Sequence, residues 1–424
     1  MHIILRFIIL TIKFIVDWIG DFLLNFGVVL WPLSEDSLTS VISKEAKMEY
    51  ESHKYLRDSF QMFSNNLPLR TTFPATGRLF SRIWIKRLLE LRVRINRSLK
   101  EDPSIYDVPL RRPVFIITLA RTGSTFMHCL MAQDHRWRCP ELWELEDCSP
   151  PPGEKDDKKR ISESKLKWDL TSVFMGWNDV KNTHNFNVRT PEDLLFLYHC
   201  DFRFVQSALV FSSLEKDFTN YIRNPKWNEQ VEFDENLRTR LKMICKNSDM
   251  ENRRLLTMIH ASSVNVPSLL KAFPDAQIIT IHRDSVSTMK SACALIHCNI
   301  KACHRVFDSD KIGVGRRLLN YMKLDTQKLI SMRKDDNLKA EGFQRFIDVH
   351  FKDLVKEPIK TMESVYKQLD IKFDEDVKRT MSAYLARHRN STAKAKYTLE
   401  EYGLSDNVVK NAFNDYNNFF SVKA

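Results

Sequence analysis

The clearest pattern of apolar and polar positions lies in residues 113–131, PVFIITLARTGSTFMHCLM. Residues 114–118 form a short apolar run that predicts a buried strand. A loop of residues 119–123 follows, and the apolar positions after Ser124 recur with helical spacing. The first backbone N–H groups of a helix lack partners within it and carry partial positive charge. The pattern therefore predicts a helix start that can bind an anion, although an ordinary capped helix would give the same pattern.

Side chains in this loop favour a nucleotide with a single 5′ group over ATP with magnesium. Arg121 supplies a full positive charge, and Ser124 and Thr125 supply hydroxyl donors. The usual ATP-binding loop, GxxxxGKS/T, uses its lysine for the outer phosphates and its hydroxyl for magnesium. Residues 118–125 lack both the first glycine and the Gly-Lys pair. We therefore expect an anionic group bound without a metal ion.

A second predicted strand ends in charged residues further along the chain. Residues 277–281 form an apolar run, and His-Arg-Asp follows at residues 282–284. Ser291 lies eight residues past Arg283, so a helix that begins near Ser285 brings the two side chains to one side after two turns. A guanidinium and a hydroxyl held in this way can bind a second phosphate.

The order of strands and helices predicts an α/β fold. Residues 255–259 form another apolar run, and a helical pattern over residues 267–272 separates it from the strand that begins at residue 277. A strand–helix–strand unit implies a parallel sheet, because the crossover lets both strands run in one direction. A further strand is predicted at residues 346–351. We expect a P-loop-like three-layer fold, with a central parallel sheet flanked by helices, preceded by an N-terminal apolar helix.

Residues 1–31 are heavily apolar but carry four charges, at Arg6, Lys13, Asp17 and Asp21. Spacings of 7, 4 and 4 residues place all four on one helical face, opposite a broad apolar face. No uninterrupted apolar run reaches the roughly 18 residues of a spanning helix. Three interpretations stay open: an interfacial amphipathic helix, a signal-anchor that spans despite its charges, and a helix packed on the protein itself.

Composition favours anionic partners. The 424 residues include 65 Lys and Arg against 54 Asp and Glu, a net charge of +11, which suits a nucleotide, an acidic substrate or an anionic membrane. Nine basic residues against one acid in residues 67–100 fit a second membrane contact or a solvated helix face. We expect no nucleic-acid partner, because no binding signature is present. The eight cysteines contain no CxxC pair, and we expect no metal.

Taken in order, the two phosphate motifs resemble those of PAPS-dependent sulfotransferases. RTGST at residues 121–125 resembles the family's 5′-phosphosulfate loop. CPELWE at residues 139–144 and three prolines at residues 150–152 resemble the motif and proline run that follow it in one branch. Arg283 and Ser291 lie at the spacing with which the family holds the 3′-phosphate. Residues 396–404 are similar to the closing motif, so the resemblance extends from residue 113 to residue 420.

The resemblance implies that a sulfuryl group moves from PAPS to a hydroxyl or amine of a small acceptor, with PAP as the product and no metal. Arg121 would also stabilise charge on the leaving oxygen. The residues that the resemblance assigns to the 5′ end of PAPS are Arg121, Thr122, Gly123, Ser124 and Thr125. Arg283 and Ser291 are assigned to the 3′-phosphate.

Three side chains are candidates for the base that takes the acceptor's proton. Glu144 lies where related enzymes carry a carboxylate near the acceptor. His260 follows the strand predicted at residues 255–259 and so lies at the carboxyl edge of the sheet, where ligands bind in such folds. His184 precedes Pro-Glu-Asp at residues 191–193, which resembles a family pattern of a histidine followed by a proline and acids.

One position departs from the family pattern. Many relatives carry Lys-Ser-Pro-x-His after this strand, but this chain has Met-Ile-His-Ala-Ser at residues 258–262. The family's lysine helps to neutralise the leaving phosphate, so Met258 removes a charge unless Arg121 and His260 compensate. A nucleotide-binding relative that lacks turnover is therefore the main alternative, and a small-molecule kinase is the weaker one.

The apolar and charge patterns, with the resemblance after residue 113, suggest the organisation of the chain. Residues 1–44 would be a membrane-associated or anchor helix, residues 45–110 a basic helical lead-in, and residues 111–424 the sulfotransferase domain. We expect a membrane location, at the Golgi or another endomembrane or at a cytoplasmic face. An apolar acceptor, sterol-like or lipid, is suggested by an aromatic region, and a sugar stays open. That region includes Phe196, Tyr198, Phe202, Phe204 and Phe211.

Overall fold

A five-stranded parallel sheet lies at the centre of the protein. The computed structural model describes residues 3–65, 74–153, 156–174, 187–203, 223–303, 311–388 and 398–422. Within them the strands are β1 (Val114–Thr118), β2 (Trp137–Arg138), β3 (Arg254–His260), β4 (Gln277–His282) and β5 (Phe346–His350). Their order across the sheet is β2-β3-β1-β4-β5, and every neighbouring pair is parallel. The predicted parallel sheet is therefore confirmed.

Helices surround the sheet on both faces. In the described part of the chain they are α1 (Ile3–Leu24), α2 (Glu35–Thr39), α3 (Lys44–Ser52), α4 (Lys54–Asn65), α5 (Ala75–Glu101), α6 (Ser124–Met131), α7 (Leu142–Glu146), α8 (Asp157–Phe174), α9 (Leu195–Tyr198), α10 (Trp227–Cys245), α11 (Val266–Ala272), α12 (Ser285–Cys303), α13 (Lys311–Lys334), α14 (Phe351–Lys356), α15 (Pro358–Gln368), α16 (Glu375–His388), α17 (Asp406–Ala412) and α18 (Asn414–Phe419).

The alternation of side chains along each strand supplies the two apolar layers. On β1, Val114 and Ile116 face a layer that includes Met127 of α6 and residues of α15 and α16. Phe115 and Ile117 face the opposite layer, which includes residues of α5, α10, α11 and α13. Every residue of β1 is fully buried, because helices cover both sides of the sheet.

The strand register brings four strand ends to one edge of the sheet. Thr118 of β1 is opposite His260 of β3, and His282 of β4 is opposite His350 of β5. In open parallel sheets ligands bind beyond the carboxyl ends of the strands. The residues that follow β1, β3 and β4 are therefore placed to build one site.

Three of the four charged residues of α1, Lys13, Asp17 and Asp21, lie on its partly buried side, whereas Arg6 is exposed. The Asp17 carboxylate accepts hydrogen bonds from the backbone N–H and the hydroxyl of Thr76, at 2.8 and 2.9 Å, and Lys13 pairs with Asp17 at 3.1 Å. The outward positions are apolar and exposed, among them Phe14 and Trp18. No helix among the described residues is long and apolar enough to cross a membrane. The division of the chain at residues 44 and 110 stays a prediction.

Candidate active site

The loop between β1 and α6 needs a glycine for two independent reasons. Gly123 precedes the first residue of α6 with φ of +93°, in the left-handed region. A Cβ atom at this position would lie 2.7 Å from the Cδ2 and Cε2 atoms of the Phe351 ring. The loop can therefore turn tightly into α6, whose first N–H groups have no partner within the helix.

Buried hydroxyl groups fix the shape of this loop. The Thr118 hydroxyl donates to the carbonyl of Ile281 at 2.7 Å, which ties β1 to β4 beyond their ladder. The Thr122 hydroxyl lies 2.9 Å from the carbonyl oxygen of Leu119 and 2.8 Å from the Thr118 hydroxyl. Both threonines are fully buried. The Thr122 hydroxyl is thus engaged within the loop, whereas Ser124 and Thr125 are the first residues of α6, at its positively polarised end.

The two phosphate motifs predicted from the sequence meet in space. Arg121 donates from Nε to the hydroxyl oxygen of Ser291 at 2.9 Å. Arg283 donates from Nη1 to the carbonyl oxygen of Arg121 at 2.8 Å, and its guanidinium lies 4.4 Å from the centre of the Phe351 ring. These contacts bring the loop after β1, the end of β4 and helix α12 together.

Electrostatics at this junction favour an anion. Burial lowers the pKa of Arg121, and the neighbouring charge of Arg283 lowers it further. Burial also lowers the pKa of Arg283, with Asp284 opposing the change. Both guanidinium groups stay protonated in proteins, so these directions express the cost of holding two partly desolvated cations side by side. An anion with two negative groups would relieve that cost.

His260 lies at the end of β3 with a carboxylate beside it. Its Nε2 atom is 3.4 Å from Oδ2 of Asp193, and its Nδ1 atom is buried with no hydrogen-bond partner among the described residues. Asp193 is held against the strand, because the next N–H, of Leu194, donates to the carbonyl of Met258 at 3.0 Å. Burial raises the pKa of Asp193 to about 6, although His260 and the backbone N–H of Leu195 oppose the change.

Glu144 is engaged in a buried ion pair. Arg138 donates to both of its carboxylate oxygens, at 2.5 and 2.9 Å, and the backbone N–H of Glu141 donates to Oε2 at 2.7 Å. The last bond is half of a capping box that begins α7. Because both oxygens are occupied, this geometry favours a structural role for Glu144 over that of a base.

Met258 replaces the family's lysine with an apolar contact. Its side chain is 2% exposed and belongs to the apolar layer that also contains Ile116 and Leu130. No cation stands at this position of β3. Positive charge for a leaving group at this edge of the sheet would therefore come from Arg121 and Arg283.

Two contributors to the site were not identified from the sequence. Phe351, directly after β5, contacts the position of Gly123 and lies under Arg283. Asp193 was noted only as part of a family pattern, yet it is the partner of His260. The signal for Asp193 was the Pro-Glu-Asp sequence itself, whereas an aromatic residue after a strand carries no such signal.

A histidine next to Arg283 joins the sheet to the C-terminal helices. His282 contacts Oδ1 of Asp348 at 3.0 Å through Nε2 and the hydroxyl of Tyr416 at 2.8 Å through Nδ1. Its ring also stacks on Phe420, with 4.1 Å between the ring centres. Burial lowers the pKa of His282, with Asp348 opposing the change.

The structure does not place His184 or the predicted aromatic residues named below at this site. His184 and two of the aromatic residues, Phe204 and Phe211, fall outside the described residues. Tyr198 and Phe202 are fully buried, and they pack on Phe233 at 4.6 Å and Phe60 at 4.8 Å. These two belong to the core rather than to an open pocket.

A parallel sheet with a helix start and two arginines at its carboxyl edge is an arrangement typical of nucleotide-binding α/β proteins. A family model described as "Sulfotransferase family" matches residues 113–375. The chain therefore belongs to the sulfotransferase family and is a sulfotransferase enzyme, as the motifs predicted.

Solved structures share the fold. Sulfotransferase STF9 from Mycobacterium avium is 19% identical, with a TM-score of 0.75 over 92% of this chain and 97% of that one. Sulfotransferase STF1 from Mycobacterium tuberculosis H37Rv is 18% identical, with a TM-score of 0.69 over 90% of this chain and 98% of that one. No curated protein matches the sequence at a significant level. At these identities the likeness establishes the fold.

Proposed function

We propose that this enzyme transfers the sulfuryl group of PAPS to a hydroxyl group of a small acceptor and releases PAP. The observation that carries the proposal is the meeting of Arg121 and Arg283, from two separate motifs, at the N-terminus of α6. PAPS carries anionic groups at both its 5′ and its 3′ positions. Two cations that follow separate strands suit such a donor better than a nucleotide with one phosphate group.

The 5′ phosphosulfate would lie at the start of α6. The N–H groups of the first helical turn, the hydroxyls of Ser124 and Thr125 and the guanidinium of Arg121 can donate to its oxygens. When the sulfur–oxygen bond to the bridging oxygen breaks, negative charge grows on that oxygen. Arg121 can stabilise this charge, because its guanidinium is already fixed by Ser291.

The 3′-phosphate would lie between Arg283 and Ser291. The Ser291 oxygen accepts a hydrogen bond from Arg121, so its own hydroxyl proton remains free to donate to a phosphate oxygen. Stacking on Phe351 holds the Arg283 guanidinium in place. In this arrangement a single serine would contact both the 3′-phosphate and the arginine that serves the 5′ end.

His260 is the base that the geometry favours. With Nε2 protonated and facing Asp193, the buried Nδ1 atom, which has no partner among the described residues, would take the proton of an acceptor hydroxyl that reaches it, while the oxygen attacks sulfur. Asp193 would then stabilise the imidazolium that forms. Glu144 stays the second candidate, although its oxygens are occupied by Arg138 and Glu141.

Nucleotide binding without turnover is a second candidate function. One observation favours it: Met258 places an apolar side chain where the family carries a lysine. Binding and turnover therefore have to be measured separately. The apolar character of the acceptor stays a prediction: of the three described residues of the aromatic region, Tyr198 and Phe202 lie in the core, and Phe196 is half-buried.

Calorimetry on the full chain would test the donor site. We expect PAP to bind more tightly than AMP, and Arg283→Ala to remove that preference by weakening PAP binding far more than AMP binding. Lys290→Ala on the same helix as Ser291 serves as a control, because Lys290 pairs with Asp406 at 3.5 Å rather than with the site. Equal affinities for PAP and AMP would overturn the PAPS proposal. Tight PAP binding with no transfer from radiolabelled PAPS to any of a panel of alcohols, sterols and sugars would favour binding without turnover.

A further inference from the structure

Helix α1 has the reverse of the polarity expected of a helix on a water-soluble surface. Its inner side holds the Lys13–Asp17 ion pair, and the Asp17 carboxylate caps the first turn of α5 through the Thr76 N–H. A carboxylate at a helix N-terminus also interacts favourably with the helix dipole. The Asp17 carboxylate therefore attaches α1 to α5, and Lys13 pairs with that carboxylate within α1.

This attachment fixes which side of α1 faces outward. Gly20 allows the helices to approach closely, since a Cβ atom there would lie 2.5 Å from the Cβ of Ala75. After the helix ends, Arg78 donates from Nε to the carbonyl oxygen of Leu30 at 2.8 Å. Helix α8 also packs against α1. Contacts at Asp17, Gly20 and Leu30 prevent α1 from rotating about its axis to bury its outer side.

The outer face of α1 is an extended apolar surface. Eleven large apolar side chains on this segment are each 40% or more exposed, and Phe7 and Phe14 reach 71%. The Thr11 hydroxyl on the same side donates to the carbonyl of Phe7 at 3.0 Å, so it does not depend on water. Monomeric soluble proteins rarely expose so large a contiguous apolar patch without a partner. The eleven are Phe7, Ile8, Leu10, Ile12, Phe14, Ile15, Trp18, Ile19, Phe22, Phe26 and Val28.

Cationic and aromatic side chains lie where the segment after α1 meets α5. Trp31 lines an open groove of about 600 Å³ together with Ile83, Arg82 and Lys86 of α5. Ile83 is 59% exposed and Lys86 is also exposed. Tryptophan with neighbouring lysine and arginine is the combination that favours the headgroup layer of an anionic membrane.

We propose that the outer face of α1 docks into the interfacial layer of an anionic lipid bilayer, with the helix lying in the plane of the membrane. The groove beside Arg82 and Lys86 receives the anionic headgroup of a lipid. Charge complementarity favours a bilayer over a second copy of this chain, because a second copy would bring the same cations to the contact. The attached inner side fits a helix that lies on the surface, with its apolar face in the acyl boundary.

Sedimentation of the full chain with vesicles tests the proposal. We expect binding to vesicles of phosphatidylcholine with phosphatidylserine, and weaker binding to phosphatidylcholine alone. Phe14→Ser combined with Trp18→Ser should weaken binding at least tenfold. Val408→Ser, at a side chain 47% exposed on α17, is the matched control and should bind as the unaltered chain does. Thermal unfolding of each variant verifies that these exposed substitutions leave the fold intact.

A separate variant tests how much the positive charge of the groove contributes to binding of anionic vesicles. Lys86→Glu should reduce the preference for phosphatidylserine and the sensitivity of binding to salt, because screening acts on the exposed charges. No binding of the unaltered chain to either vesicle would overturn the proposal, and so would unchanged binding by the Phe14 and Trp18 variant. A dimer in light scattering that this variant dissociates, without vesicle binding, would assign the face to a second copy instead.

Discussion

The Nε atom of Arg121 lies 2.9 Å from the hydroxyl oxygen of Ser291, and this contact links the loop after β1 to the helix after β4. The two residues are far apart in the sequence and belong to different motifs. Each would serve a different end of the donor. Because one hydrogen bond joins them, a change at one end is expected to be felt at the other.

Removal of the Ser291 hydroxyl is therefore expected to weaken PAP binding and to impair Arg121 at the same time. A hydrogen bond to a charged group contributes about 1.5–3 kcal/mol, so Ser291→Ala should raise the dissociation constant for PAP about ten- to a hundredfold. Calorimetry on Ser291→Ala, Arg121→Ala and the double variant measures the coupling between them. Ser287→Ala, one turn earlier on α12, is the control. Strictly additive effects of the two single changes would contradict a functional link.

Gly123→Ala is expected to destabilise the loop through both strain and overlap. The left-handed backbone costs a side chain about 1–2 kcal/mol, and the overlap with Phe351 adds about 1–3 kcal/mol. Gly27→Ala is a matched control, since Gly27 has φ of +78° but no atom within 4 Å of a Cβ. Urea unfolding should show a clearly larger loss for Gly123→Ala. Equal losses at the two glycines would show that contact with Phe351 is unimportant.

His260→Ala is expected to reduce kcat by about a hundred- to ten-thousandfold, the usual contribution of a general base. PAP binding should stay unchanged, because His260 touches neither arginine motif in the described contacts. Asp193→Asn should have a smaller effect and alter the acidic limb of the pH–rate profile, where the Asp193 carboxyl takes up a proton near its pKa of about 6.

Comparison with Glu144→Gln separates the two candidate bases. Breaking one partner of a buried ion pair costs about 3–5 kcal/mol of stability, so the Glu144 change should lower the free energy of unfolding as Arg138 loses its partner. A large loss of kcat with normal stability in Glu144→Gln, and near-normal kcat in His260→Ala, would move the base to Glu144.

Acid is expected to destabilise the fold through His128. Burial lowers the pKa of His128 to about 4, with a hydrogen bond to the Leu256 carbonyl opposing the change. The unfolded chain binds the proton near pH 6.5, so between pH 6.5 and 4 the unfolded state holds more protons and stability falls as the pH falls. The loss amounts to about 3 kcal/mol by pH 4.

Urea unfolding of His128→Gln at pH 7 and pH 5 measures this loss. The amide can keep the hydrogen bond to Leu256 without titrating, so the variant should lose less stability than the unaltered chain between the two pH values. His53→Gln is the control, because His53 is a partly exposed histidine at the C-terminal end of α3. An identical pH dependence in the His128 variant would assign the acid sensitivity to other groups.

The strands were predictable where a run of apolar residues is bounded by polar ones. β1 has the predicted bounds, β4 and β5 differ from prediction by one residue at one end, and β3 is one residue longer than predicted at each end. β2 was missed, because a strand of two residues has no periodicity. β2 is a strand because it pairs with β3, and this pairing cannot be predicted from the local sequence.

The site was predictable only where a motif carries its own chemistry. Arg121 and Arg283 each follow a strand and were identified separately, but their contact depends on the order of the strands. The environment of helix α1 was also not predictable from its sequence alone. The spacing of Lys13 and Asp17 places them on one face, yet a helical period does not say whether that face meets water or protein. Here it meets Thr76.

The order β3-β1-β4 places the three segments that carry the predicted site residues at the ends of adjacent strands. Adjacent strands lie about 4.8 Å apart whatever their side chains, so the spacing of the backbone sets the distances between the segments that follow the strands. The residue beyond each strand end sets its chemistry. Under the proposed function, a change of residue after β3 would alter the group that meets the acceptor and would leave the donor-binding segments after β1 and β4 as they are. Met258 and His260, which differ from the motif that the resemblance leads us to expect, would be a change of this kind.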